Sequence, residues 1–314
     1  DRIPDEVRDV PIVIRDGNPP WNGAAVANYA DLPRKTLLSI DRDTLDYAST
    51  LNGAPVHAAS EFWCEAGPPA SPGLPVSQRP IPFVAAFTGR PPDALRRDRL
   101  WLAQQPPALR DLVAATIAAA RASYREPISA IAFGLARTAG IELDLHGPEI
   151  RRAIEFATIV LTSEERLELA NAARRVPGVI VTNLPAAMVP AHPQTRFLPP
   201  MAFPDLLRLF GEARCVLSHL PHRMTGALSE RFHNAGVRGT FTILPRSNAA
   251  LRDAALAPLL LGFDPGAEAV PEHLARVVDR SRELDGMQDA LERTTRERFS
   301  PDRAILEMLA HAPD

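Results

Sequence analysis

Short apolar runs between Pro- and Gly-rich stretches mark the first part of the chain. Pro11 to Ile14 and Thr36 to Ile40 read as buried strands, and Val56 to Ala59 as a weaker third. A further strand is expected at Phe83. Helical spacing then takes over. Leu109, Leu112, Val113 and Ile117 share one helical face, and Ile128, Ile131 and Leu135 continue the pattern. Glu149 to Leu161 reads as another helix and Glu164 to Arg175 as a separate one, because Thr162 followed by Glu165 is a capping-box pattern. Val179 to Thr182 returns to strand character. From 271 to 311 the spacing is helical again, with Pro271 and Pro301 suited to first turns and Ser300 to a cap.

Between these parts lies the most informative segment, Arg214 to Asn248. Cys215 to Ser218 reads as a buried strand. A polar loop containing Gly226 follows, then a helix carrying Glu230, Arg231 and Asn234, then Gly239 and a strand from Thr240 to Leu244. Strand, loop, helix and strand in that order form a βαβ unit, which predicts a parallel sheet. The expectation is an α/β protein. Residues 81–314 should form a Rossmann-like parallel sheet with a helical insertion at about 107–175. Residues 1–80 should form a short, partial N-terminal α/β region ending in a Pro- and Gly-rich linker over 65–80.

Units of this kind place ligands outside the carboxyl ends of their strands. Here the loop and first helical turn supply His219, His222, Arg223, Thr225, Ser229, Glu230 and Arg231. That set of donors with one carboxylate suits a phosphorylated, hydroxyl-rich ligand. His219, His222 and His233 have poor spacing for a metal site, and no metal or other cofactor is expected. No phosphate-loop, hydrolase-elbow or dinucleotide Gly signature accompanies a strand.

Composition narrows the classes. The 314 residues favour two domains, and a net charge of −3 argues against a general nucleic-acid or membrane-surface role. No run of apolar residues is long enough for a transmembrane helix. Two cysteines, Cys64 and Cys215, are too few for a disulfide framework, and a cytoplasmic setting is expected. The chain begins at Asp1 and shows no leader pattern, so it reads as a piece of a longer protein. Lys35 is the sole lysine among 35 basic residues, so any phosphate compensation after it falls to arginine, whose planar fork binds phosphate through two bonds.

The segment from Arg214 resembles the C-terminal domain of GT-B-fold glycosyltransferases, in particular the bacterial group related to the spore-maturation protein CgeB. Glu230, Arg231, Phe232, Asn234, Ala235 and Gly239 fall on that family's helix motif, while Ser229 stands where it has His and Gly236 where it has Met. Phe83 to Arg90 looks like its first C-domain strand and glycine loop, Phe203 to Leu206 like a family helix start, and Phe299 to Leu306 like its terminal signature without the His and Trp. The resemblance covers roughly residues 80 to 310. It implies a glycosyltransferase acting on a nucleotide-sugar donor and an unknown acceptor, without metal. Glu230 and Arg231 would be the catalytic pair. Arg223, Thr225, Gly226, Ser229, Asn234, Gly89 and Arg90 would hold the donor. The helical insertion would pack on one side of the sheet or join copies of the chain in a homo-oligomer. The departures from the motif leave a second expectation open: a catalytically degenerate domain that binds a nucleotide sugar or a protein.

Overall fold

The computed structural model describes residues 12–16, 35–39, 45, 48–49, 55–58, 74–88, 92–122, 126–141, 144, 147–183, 191–219, 227–228, 230–245, 248–263 and 269–311. Three short strands, β1 (Ile12–Asp16), β2 (Lys35–Ser39) and β3 (Val56–Ala58), pair in parallel in the order β1-β2-β3. Each coincides with an expected apolar run to within two residues. Leu37 and Val56 make the small core of this sheet with Ala48.

The larger sheet has six parallel strands: β4 (Ile81–Phe87), β5 (Gly178–Thr182), β6 (Thr195–Leu198), β7 (Ala213–Leu217), β8 (Phe241–Pro245) and β9 (Leu260–Phe263). Their order is β6-β5-β4-β7-β8-β9. The chain starts in the middle, builds outward through β5 and β6, then returns past β4 to build the other half. This is the strand order of doubly wound Rossmann-like sheets, and the reversal falls between β4 and β7. Both central strands are buried on both faces, which explains why they read as continuous apolar runs rather than alternating ones. Cys215 lies at 0% exposure within β7, where burial pushes its thiol up to about 12, so it serves as a core residue.

The connection from β4 to β5 contains the helical block: α1 (Pro92–Ala103), α2 (Pro107–Ala122), α3 (Ile128–Thr138) and α4 (Pro148–Ala173). It begins earlier than the expected insertion. The break expected at Thr162 is absent. One 26-residue helix runs through it, with Thr162 and Glu165 both buried inside. No Pro or Gly interrupts 149–173, and packing on two cores outweighs the mild local preference of Thr162 and Ser163 for a cap. The first half of α4, Ile150 to Leu161, belongs to the core of the helical block. Its last turns, Leu169 to Ala173, belong to the sheet core with Phe83, Ile180 and Leu217. The chain then enters β5 at Gly178 beneath the Phe83 ring, where a Cβ would lie 2.3 Å from Cε1.

On the other face, α5 (Phe203–Glu212) buries Leu207 and Phe210, and α6 (Glu230–Gly236) buries Phe232 and Ala235. Gly239, at φ 60, turns the chain from α6 into β8 in the left-handed region that glycine enters without strain. Four helices close the chain: α7 (Ala269–Asp279), α8 (Ser281–Asp285), α9 (Gln288–Arg298) and α10 (Pro301–Ala310). Ser300 caps α10 by accepting from the Arg303 N–H. The last helix contacts β1, and His311 at its end stacks on His57 of β3 at 5.0 Å.

The final residues of the expected linker are firmly held. Ser77 donates from N and Oγ to the Asp285 carboxylate at 2.9 and 2.6 Å. Arg79, 4% exposed, spans the amino ends of the central strands. Its Nη1 donates to the Ala213 carbonyl at 3.0 Å and to Thr240 Oγ1 at 2.5 Å, and its Nη2 to the Arg238 carbonyl at 2.9 Å.

Candidate functional site

In doubly wound sheets the reversal of strand order opens a crevice at the carboxyl ends, because the connections leave there in opposite directions. Here the reversal falls past Phe87 of β4 and Leu217 of β7. Ser218 and His219 follow β7 directly at 0% and 4% exposure, and the Ser218 N–H still bonds the Ile243 carbonyl of β8 at 3.0 Å. The ladder therefore extends up to the histidine and fixes its backbone.

Helix α4 brings two charged side chains to the same edge. The Glu165 Oε2 lies 2.7 Å from the His219 Nε2, with Glu165 8% exposed. The next residue, Arg166, donates from Nη1 to the Thr88 carbonyl at 2.5 Å, immediately after β4. Successive residues of one helix thus tie down the ends of both central strands. A carboxylate and an imidazole at this distance inside the protein form a strong bond that fixes the ring's orientation.

The other sequence-predicted residues divide into two groups. Glu230 and Arg231 open α6, on the side of that helix nearer the carboxyl ends of β7 and β8. Glu230 is exposed, and Arg231 is half-buried. Burial lowers the Arg231 guanidinium from its usual range, and the Glu230 carboxylate pulls it back up. The Arg231 Nε is buried and has no hydrogen-bond partner among the described residues. One turn on, Asn234 is 4% exposed rather than solvent-facing, and its Oδ1 likewise has no partner among the described residues. Gly89, Arg90, His222, Arg223, Thr225, Gly226 and Ser229 lie outside the described residues. His233 is not at the crevice: its ring is fully buried and packs 4.5 Å from Phe299.

Sequence pattern alone hides Glu165 and Arg166, because the spacing of Thr162 and Glu165 matches a capping box. A signal was present. Glu165 falls in the apolar stripe of Ile154, Thr158, Leu161 and Leu169, where a charge must find a partner. No protein-family model matches this chain, and no curated protein matches it.

Proposed function

We propose that the chain binds a nucleotide-sugar donor at the carboxyl edge of its six-stranded sheet and transfers the sugar to an acceptor hydroxyl. The observation that carries this reading is the buried Glu165–His219 pair at the strand-order reversal, beside the helix that opens with Glu230 and Arg231. In glycosyl transfer the acceptor oxygen bonds the anomeric carbon and gives up its proton to solvent, the bond from that carbon to the donor oxygen breaks, and the nucleotide diphosphate leaves with that electron pair. Cations held at the leaving group stabilise the transition state more than the ground state. His219, oriented by its bond to Glu165, and Arg231 would meet that charge. Glu230 would accept hydrogen bonds from ribose or sugar hydroxyls. α6 has only seven residues, so side chains rather than the helix dipole would supply most of the compensation.

The test is calorimetric binding and turnover with a panel of nucleotide sugars, using wild type, Glu165→Gln, His219→Gln and Arg231→Ala. Loss of a charge-assisted bond, ~1.5–3 kcal/mol, should lower turnover roughly tenfold to a hundredfold. Arg231→Ala should weaken nucleoside diphosphates while leaving nucleosides unchanged. Equal losses for both ligands would remove the diphosphate role. A second reading, a binding module without turnover, draws on the near-complete burial of His219 and Asn234, both 4% exposed. Tight nucleotide binding with no transfer from any donor would decide for it.

A further inference from the structure

A second recess lies at the outer edge of the large sheet, two strands from β7 and therefore roughly 10 Å from the central crevice at the usual interstrand spacing. Among the described residues β9 is paired on one side only, by β8. α7 packs on one face of the sheet through Val270 and Leu274, and Leu284 of α8 packs on the core of the other face. The two helices thus bend around the sheet edge. Between them and β9 is a groove of about 330 Å³, within the ~300–1,000 Å³ range of ligand clefts.

Its floor is apolar: Leu260 and Leu261 of β9, Val277 of α7 and Leu284 of α8. Its rim is basic. His273 and Arg276 fall three residues apart on one face of α7, and Arg280 follows its end, its N–H bonding the Arg276 carbonyl at 3.0 Å. Among the described residues of the lining the one carboxylate, Glu283, is already bonded by Arg280, whose Nε donates to Oε1 at 2.8 Å. Arg276 is exposed and makes no ion pair among the described residues. This local basic rim stands on a chain of net charge −3. Gly262 sits within β9 and lines the groove without a side chain to hold another backbone off, a placement typical of close backbone approach.

We propose that this groove takes an extended acidic peptide segment of a partner protein, which adds to β9 as a further strand. The peptide backbone would bond the outer edge of β9. Its carboxylates would meet Arg276 and the neighbouring rim, and its alternate apolar side chains would rest on the leucine floor, as period-two geometry requires. A free strand edge supplies affinity through main-chain bonds, and the charged rim supplies selectivity.

The experiment measures fluorescence anisotropy of short, capped, labelled peptides of alternating Glu and Val added to the intact chain. Matched probes are the same peptides N-methylated on alternate residues, in each phase, and a Lys–Val version. The Glu–Val peptide should bind. One N-methylated phase and the Lys–Val version should bind at least about tenfold more weakly, a factor equal to ~1.4 kcal/mol. Arg276→Glu, at an exposed position, should lose binding by a similar factor with an unchanged melting temperature. No binding of the Glu–Val peptide, equal binding of both methylated phases, or indifference to Arg276→Glu overturns the proposal. Full displacement by glutarate or inorganic phosphate also overturns it, in favour of a small-anion pocket.

Discussion

Replacing Arg79 with methionine removes a side chain that joins the linker end, β7 and the start of β8 at the amino side of the sheet. Methionine keeps the stem's packing and deletes the fork. Three buried acceptors within 3.0 Å lose their donor: the carbonyls of Ala213 and Arg238 and the hydroxyl of Thr240. An orphaned buried acceptor costs ~1–3 kcal/mol. Part of this is offset, because the buried cation is itself costly: desolvation pushes the Arg79 guanidinium down to about 10, worth roughly 3 kcal/mol. Thr240 also keeps its own bond to the Phe210 carbonyl at 2.7 Å. The net loss expected is ~2–4 kcal/mol, a large share of the ~5–15 kcal/mol that holds a domain together. Urea denaturation followed by circular dichroism reads it as a midpoint about 1 M lower at unchanged slope. A double-mutant cycle with Thr240→Val should give a coupling of ~0.5–3 kcal/mol between the two side chains. A stability within about 0.5 kcal/mol of wild type, the range of ordinary surface changes, would refute the view that this arginine ties the strands together.

Two further predictions rest on packing and charge. At Gly236 a Cβ would meet Thr295 Oγ1 at 2.4 Å, so Gly236→Met should destabilise by ~1–3 kcal/mol; Thr295→Ala in the same chain should recover part of that in thermal denaturation, and no recovery would remove the steric explanation. The Asp253 carboxyl is held below its ordinary 3.8, chiefly by the bond from Arg298 and then by the Ala255 and Leu256 N–H groups. Its folded value is the lower one, so its contribution is complete above pH 3.8 and fades as pH falls through the folded value. The side chain is 31% exposed, so solvent screening keeps that contribution to about 1 kcal/mol or less. The stability gap between wild type and Asp253→Asn should accordingly close in acid; a gap constant down to about pH 2 would contradict the assignment.

Strands with uninterrupted apolar runs, such as Phe83 to Phe87 and Cys215 to Leu217, were legible because full burial on both faces leaves no polar alternation. β6 and β9 were not. Thr195–Leu198 is a partly exposed edge strand, and Leu260–Phe263 follows a short 3-10 turn that blurs its start. The βαβ unit around Glu230 and Arg231 could be read because all its parts lie within 35 residues of sequence. The partnership of Glu165 with His219 could not, since it joins positions 54 apart through tertiary packing. Local pattern pointed to a helix start at Thr162, and the tertiary contacts of α4 decided otherwise.

The continuity of α4 has a mechanical consequence. Its sheet-bound end is clamped at Leu169 to Ala173, while its other end is embedded in the helical block. At 1.5 Å per residue, Pro148 lies ~31 Å from Leu169 and Glu165 only ~6 Å. The helix is therefore a lever with a long arm in the block and a short arm ending at the buried carboxylate. A push of ~2 Å on the block, the size of an ordinary helix shift at an interface, is reduced about fivefold along this arm. It reaches Glu165 as roughly 0.4 Å, close to the ~0.5 Å within which a functional constellation must be held. Whatever presses on the helical block thereby sets, in finely geared steps, how closely Glu165 grips His219.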